Sequence, residues 1–184
     1  MPADRALTRK ASAVYAEVLL EAAHAAGVAF EVSSQLEQAQ AAIRGSIELR
    51  SALLDKNLPV EARMGIVNEL FAGFAPVLLA TLSVMVKRGD LGLLGRVSEA
   101  YLVRAEDALD ASFIDVTTAI GLDDTLREKI KEKYAAQLGR DVLLREHLDP
   151  SIIGGIVLSA HGVSIDASVV SQLENARVVL SRSQ

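Results

Sequence analysis

Residues 113–120 read Phe-Ile-Asp-Val-Thr-Thr-Ala-Ile, and at this run the pattern of the whole chain changes. β-Branched residues dominate the run, which is typical of a strand. Before it, apolar residues recur at the spacing of helices, and after it strand-like runs alternate with helical ones. The sequence therefore predicts two domains, residues 1–112 and residues 113–184.

Six helices are predicted in the first domain. Apolar side chains recur there every three or four residues, which is the period of an amphipathic helix. Gly27, Gly45, Gly73 and Gly89 punctuate this pattern. The fifth helix, at residues 77–86, is apolar on nearly every face. We expect a helix that is apolar on nearly every face to lie at the centre of a helical bundle.

The second domain is predicted to combine a short sheet with two helices. Further strands are expected at residues 142–148, 152–159 and 163–165. Asp123 and Asp124 open a charged helix, because carboxylates favour the positive end of the helix dipole. A last helix is expected from about Ser168. The predicted fold class is thus α+β, a six-helix bundle followed by a small α/β domain.

Composition limits the kinds of partner. The chain of 184 residues has no cysteine, a formal net charge of −5 and only 4% aromatic residues. A net acidic chain without aromatic platforms among basic residues is poorly suited to nucleic acid. The longest uncharged run, residues 70–86, is shorter than the roughly 20 residues of a membrane span. We therefore expect no nucleic-acid binding and no direct membrane insertion.

The sequence offers no catalytic constellation. His24, His147 and His161 lie in different predicted elements, so no helical metal pair exists, and no phosphate-binding glycine loop occurs. A small hydrolase built on His161, Ser164 and Asp166 is one alternative, but the nucleophile elbow and oxyanion loop of such enzymes are missing. We expect no enzymatic activity, no cofactor and no metal.

The most distinctive residues lie near the C-terminus. Residues 149–157 read Asp-Pro-Ser-Ile-Ile-Gly-Gly-Ile-Val, and residues 165–168 read Ile-Asp-Ala-Ser. A glycine pair in a strand indicates a bulge or the close approach of another backbone. Asp166 and Ser168 suit a corner between a strand and a helix, where a side-chain oxygen accepts a free N–H. A tight hairpin followed by a capped helix would account for these residue types.

This stretch resembles the C-terminal signature of the delta subunit of rotary F-type ATP synthases, the family of the mitochondrial oligomycin-sensitivity-conferring protein. Residues 15–19, Tyr-Ala-Glu-Val-Leu, resemble the family's first helix, and residues 116–119, Val-Thr-Thr-Ala, resemble the start of its second half. The sequence departs from the family pattern at Val18, Ala167 and residues 87–91. The signature positions are Asp149, Gly154, Gly155, Asp166 and Ser168.

The resemblance implies a non-catalytic stator subunit. Such a subunit links the catalytic head to the peripheral stalk and resists rotation during proton-driven ATP synthesis. It is held peripherally at the cytoplasmic face of the cell membrane through the complex. The alternative is a free-standing helical adaptor that binds amphipathic peptide helices. The glycine-pair signature argues against this alternative, because a generic adaptor does not need it.

The resemblance also implies two partner-binding surfaces. A groove between the first and fifth helices would take the N-terminal helix of the alpha subunit, and the last helix would hold b-type stalk subunits. The same residues also suit the core of the bundle or the cover of the sheet, and the sequence leaves both interpretations open. The alpha-binding candidates are Tyr15, Val18, Leu19, Leu82, Met85 and Val86, and the b-binding candidates are Val169, Leu173, Ala176 and Leu180.

Overall fold

The computed structural model describes residues 2–55, 57–150, 152, 154–160 and 163–168. The chain divides into two compact units, Met1–Ala108 and Leu109–Gln184. The first is helical and the second contains a small sheet, so the α+β class is confirmed.

Six α-helices precede the first strand in the described part of the chain, which is the number that the sequence predicts. A single 3-10 turn, Leu91–Leu93, separates the last two helices. The helices are α1 (Pro2–Ala25), α2 (Ala29–Gly45), α3 (Ile47–Leu54), α4 (Val60–Leu70), α5 (Pro76–Arg88) and α6 (Leu94–Leu109).

Glycines end helices where the sequence predicts. Gly27 follows α1 with φ +70° and Gly89 follows α5 with φ +76°, both in the left-handed region. The Asp90 N–H then donates to the Met85 carbonyl at 2.8 Å, and the Gly89 N–H donates to the Val86 carbonyl at 3.1 Å. These bonds satisfy carbonyl groups that the helix end leaves without partners.

Alanine substitutions at two glycines are expected to change stability in opposite directions. Gly89→Ala places a side chain in a left-handed conformation and is expected to cost about 1 kcal/mol. Gly65 lies inside α4 with open space around its Cα, so Gly65→Ala is expected to stabilise the helix by about 0.5–1 kcal/mol. Urea unfolding followed by helical circular dichroism measures the free energy of unfolding of both variants. Equal effects would contradict the left-handed conformation of Gly89 and the helical position of Gly65.

The core of the first unit surrounds one side of α5. Leu78, Leu82, Met85 and Val86 are at most 1% exposed. The opposite side of α5 is less covered, because Val84 on the same helix is 46% exposed. No described element covers that strip, so an apolar surface remains open along α5.

Polar groups tie the buried helices together. The Tyr101 hydroxyl on α6 donates to the Ala29 carbonyl at 2.8 Å, and burial raises the pKa of this tyrosine. Gln35 on α2 accepts from the Ala75 N–H at 2.8 Å, next to the start of α5. Buried polar groups are costly unless they are paired, and these pairs fix α2 against both α5 and α6.

The second unit contains a mixed sheet of four described strands in the order β2-β1-β3-β4. Strand β1 pairs with β2 in parallel and with β3 antiparallel, and β3 pairs with β4 antiparallel. Helix α7 (Asp124–Leu138) provides the crossover that two parallel strands require. The strands are β1 (Ala111–Thr118), β2 (Asp141–Leu148), β3 (Gly155–Ala160) and β4 (Val163–Ser168).

The ends of β3 and β4 differ from the prediction. Strand β3 begins at Gly155, whose φ of +92° suits glycine, so the glycine pair stands before and at the start of the strand. Strand β4 continues through Asp166 to Ser168, and these residues pair with Val157 and Gly155. Strand β4 is therefore longer than the predicted 163–165, because ladder bonds to β3 override the local preference of Asp and Ser for turns. The predicted last helix lies outside the described residues.

The sheet packs its apolar face against α7. Ile114 and Val116 lie on the same face of β1 and pack in one cluster with Ile130 of α7. Val142 and Leu144 of β2 complete this cluster. Before α7, the Asp123 carboxylate accepts from the Leu126 N–H at 2.6 Å, which confirms the predicted start of this helix.

Asp115 lies on β1 between Ile114 and Val116, and its carboxylate interacts with side chains of the parallel strand β2. It stands beside Arg145 in register, and the Arg145 Nη2 donates to Asp115 Oδ2 at 2.7 Å. The His147 Nε2 lies 3.4 Å from Asp115 Oδ1. Burial raises the pKa of Asp115. Hydrogen bonds and charges from His147 and Arg145 lower it by more than burial raises it, so the pKa lies below its ordinary value.

The lowered pKa of Asp115 predicts a loss of stability in acid. The ionised carboxylate stabilises the fold above its ordinary pKa of 3.8, and this contribution is lost as the pH falls through the lower pKa of the folded state. Near neutral pH, Asp115→Asn is expected to cost about 2 kcal/mol, because the buried Arg145 loses that carboxylate. Unfolding free energies measured against pH should converge for the two proteins in acid, and a constant difference would contradict this.

Candidate partner-binding groove

An apolar groove runs between α1 and α5. Its volume is about 390 Å³, and we call it the α1–α5 groove. Four residues of each helix line it: Val14, Tyr15, Val18 and Ala22 from α1, with Val77, Ala80, Thr81 and Val84 from α5.

The spacing of the side chains builds one wall of this groove. Val14, Val18 and Ala22 are four residues apart, so they lie on one face of α1. Val14 and Val18 are each 58% exposed. The Thr81 hydroxyl donates to the Val77 carbonyl of its own helix at 2.9 Å, so the groove offers no unsatisfied hydroxyl there. Contiguous exposed apolar side chains are typical of a surface that binds a partner.

A polar contact stands next to the groove, beside the C-terminal end of α5. The Tyr15 hydroxyl donates to Asp90 Oδ2 at 2.8 Å, and Arg88 Nε lies 3.5 Å from the same oxygen. Partial burial and the bond to Asp90 raise the pKa of Tyr15, which keeps its hydroxyl a donor. This contact joins α1 to the turn after α5.

The structure separates the six alpha-binding candidates into two groups. Tyr15 and Val18 line the groove. Leu19, Leu82, Met85 and Val86 are at most 1% exposed and belong to the core.

The phase of α5 explains this difference. Before its last turn α5 carries only two polar residues, Thr81 and Ser83, so the sequence marks only weakly which of its sides faces the core. The missed groove residues are Val77, Ala80, Thr81 and Val84 on α5, with Val14 and Ala22 on α1. Val14 and Ala22 each lie four residues from Val18 on α1, and this spacing is the sequence signal that locates them in the groove.

The remaining predicted site residues are only partly described. The Asp149 N–H donates to the Thr118 carbonyl at 2.9 Å, which fixes the chain after β2 to the end of β1. Gly154 comes directly before β3. Val169, Leu173, Ala176 and Leu180 lie outside the described residues.

The hydrolase alternative finds no support in the described residues. Ser164 pairs with Ser159 in a regular strand of the hairpin, whereas a catalytic serine of this kind stands on a sharp turn between a strand and a helix. Asp166 is in the same strand, and His161 lies outside the described residues. Within the described chain no helix combines the length and apolarity needed to cross a bilayer.

An open apolar groove on a helical unit is typical of proteins that act by binding other proteins. The sequence model of the family described as ATP synthase delta (OSCP) subunit matches residues 11–180. The chain therefore belongs to the ATP synthase delta (OSCP) subunit family.

Known relatives agree with this family. The chain is 31% identical over 170 residues to the ATP synthase subunit delta of Prochlorococcus marinus (strain MIT 9301), covering 91% of this chain and 94% of that protein. It is 30% identical over 167 residues to the ATP synthase subunit delta of Rhodopirellula baltica, covering 90% of this chain and 74% of that protein. A chain of the Toxoplasma gondii mitochondrial ATP synthase hexamer shares the fold, with a TM-score of 0.53, 19% identity and coverage of 92% and 96%.

The resemblance inferred from the sequence is thus confirmed. The protein is a non-catalytic stator subunit of the ATP synthase complex, where it links the catalytic head to the peripheral stalk. The free-standing adaptor is not favoured, because the match to the family extends over nearly the whole chain.

Proposed function

We propose that the α1–α5 groove receives the N-terminal amphipathic helix of the alpha subunit and so attaches the protein to the catalytic head. The observation that carries this proposal is the open apolar strip of Val14, Val18 and Val84 on helices that otherwise pack tightly. A groove between two helices suits the apolar face of a third, which is a common mode of peptide recognition.

The exposed valines supply part of the binding free energy. Burying a fully exposed valine is worth at least about 1.5 kcal/mol. Val14, Val18 and Val84 are already about half covered, so closing the rest contributes roughly 2–3 kcal/mol in all. The Tyr15 hydroxyl donates its proton to Asp90, so the two side chains together offer fixed acceptor oxygens near one end of the groove. Such polar groups fix the register of a bound helix more than they increase its affinity.

A titration tests this proposal. A synthetic peptide of the N-terminal segment of the alpha subunit from the same organism is added to the full chain in a calorimeter at several temperatures. We expect binding with a negative heat-capacity change, which marks the burial of apolar surface. A scrambled peptide of the same composition is the control. Equal binding of both peptides would favour a generic adaptor, and no binding of either would contradict the proposal.

We further propose that the second unit holds the b-type stalk subunits. Its predicted last helix carries an apolar stripe, and acidic side chains outnumber basic ones after residue 105, which disfavours acidic partners. The double variant Leu173→Asp with Leu180→Asp is expected to lose b-subunit binding while the alpha peptide binds unchanged. Loss of both interactions would mean that the variant is misfolded, and loss of neither would place the b subunits elsewhere.

The protein is proposed to lie at the cytoplasmic face of the cell membrane, held there by the complex. This follows from its place between the head and the peripheral stalk. In inverted membrane vesicles, added protease is expected to digest the protein, because that face is then outside. Protection in inverted vesicles and digestion in intact spheroplasts would contradict this location.

A further inference from the structure

A second recessed surface lies along α6, away from the α1–α5 groove. One hollow of about 370 Å³ lies between α6, α2 and α3, and another of about 640 Å³ lies between α6 and α1. The two hollows share Arg96 and Glu99. Five arginines line them and are called here the arginine cluster: Arg9, Arg44, Arg50, Arg96 and Arg104.

The charge of this surface is opposite to that of the whole chain. Of the lining residues only Glu99 is acidic, although the chain carries a net charge of −5. Within the described residues no ion pair joins a member of the arginine cluster to a carboxylate. Arg104 donates to the Ala100 carbonyl of its own helix at 3.1 Å. The charges of these guanidinium groups therefore remain available to a ligand.

One member of the cluster is already oriented. Gln40 lies four residues earlier on α2. In the amide orientation assigned from the hydrogen-bond network, its side-chain oxygen accepts from both Nη atoms of Arg44 at 2.9 Å. A Cβ at Gly95 on α6 would lie only 3.2 Å from Arg44 Nη2, so glycine leaves room for the guanidinium to lie over α6. An arginine that is held in place loses less side-chain entropy when it binds a carboxylate.

The rest of the lining indicates which anion fits. Leu54 on α3 is 46% exposed and lines the first hollow, and Val103 on α6 is 63% exposed and lines the second. A free phosphate ion makes no favourable contact with apolar side chains. Nucleic acid presents a long anionic backbone, which the acidic remainder of the chain repels. A peptide that alternates carboxylates with apolar residues matches both features of the lining.

We propose that the arginine cluster binds an acidic amphipathic segment of a partner protein, at a docking site separate from the α1–α5 groove. Arginine forms paired hydrogen bonds with carboxylates, and these are stronger than bonds between neutral groups. On α1, the residues of this site and those of the groove lie on opposite faces: Arg9, Ser12 and Ala13 on one, Val14, Val18 and Ala22 on the other. The site is therefore independent of the proposed alpha-subunit contact.

Fluorescence anisotropy of two labelled peptides tests the proposal with the full chain. One peptide repeats Leu and Glu at helical spacing, and the other has Gln in place of every Glu. The double variant Arg44→Gln with Arg96→Gln removes two charges from the arginine cluster. Lys129→Gln with Lys133→Gln removes two charges from α7 and is the matched control. All four positions are exposed, so the folds should be unaffected, which circular dichroism verifies.

We expect the Glu peptide to bind about tenfold more tightly than the Gln peptide, and the arginine variant to lose about tenfold in affinity. The lysine variant and Val18→Asp should bind the Glu peptide as the unmodified chain does. Equal loss in the lysine variant would show unspecific charge attraction and overturn the proposal. Loss in Val18→Asp would place the peptide in the α1–α5 groove. Displacement of the peptide by inorganic phosphate at equal concentration would show a site for small anions instead.

Discussion

Val18→Asp is expected to weaken binding of the alpha-subunit peptide by about a hundredfold, close to 3 kcal/mol. The side chain is 58% exposed in the free protein, so a carboxylate there remains hydrated and the fold tolerates it. A bound helix would remove that hydration without offering a compensating charge. The measurement is calorimetric titration, with urea unfolding of the same variant showing that its stability is unchanged.

A matched substitution separates this effect from charge alone. Ile120 in the second unit is 79% exposed and lies outside the groove, so Ile120→Asp adds the same charge to a surface that the peptide does not cover. It is expected to bind the peptide with unchanged affinity. If Val18→Asp instead unfolds the helical unit, Val18 belongs to the core and the account of the groove is wrong.

Leu82→Ala is expected to lower the free energy of unfolding of the helical unit by about 3 kcal/mol. Leu82 is fully buried, and truncation leaves a cavity that the surrounding helices fill only in part. Urea unfolding followed at the helical signal measures this loss. Where the variant is fully folded, its affinity for the alpha peptide should be close to that of the unmodified chain.

Val84→Ala is the counterpart on the same helix. Val84 is 46% exposed and lines the groove, so its truncation should cost less than about 0.5 kcal/mol of stability. The same change removes apolar surface from the groove and is expected to weaken the alpha peptide about fivefold. A large loss of stability in Val84→Ala with none in Leu82→Ala would mean that the two faces of α5 are exchanged.

Local signals explain why much of the fold is predictable from the sequence. Gly89 ends α5 and Asp123 begins α7 because each residue satisfies the backbone groups of a helix end within a few positions. The run at residues 113–120 places β1 within two residues of its observed ends. Such features depend on neighbours in the sequence, so the sequence is sufficient to locate them.

Features that depend on distant partners are less predictable. The extension of β4 to Ser168 follows from its pairing with β3, which no local pattern reveals. The groove depends on which side of α5 its neighbours cover. Thr81 and Ser83 are the only polar residues before the last turn of this helix, so the sequence marks that side only weakly. Leu82 and Val84 differ by two positions and are chemically alike, yet one is buried and the other lines the groove.

The arginine cluster shows the same limit. Its members come from four helices, and their separation in the sequence hides the fact that they converge. The net charge of −5 gives no sign of a basic surface, because it is summed over the whole chain. Only the packing of α6 against α1, α2 and α3 brings these residues to one surface.

The most direct test of the central claim, that the α1–α5 groove holds the alpha subunit, is a cross-link in the assembled ATP synthase. The chain contains no cysteine, so Ala80→Cys introduces a single thiol into this subunit, in the groove. A short thiol-directed photoreagent attached there should join the protein to the N-terminal segment of the alpha subunit, identified by mass spectrometry. Ile120→Cys should not form this product. An intact complex in which Ala80→Cys joins a different subunit, or none, would contradict the account.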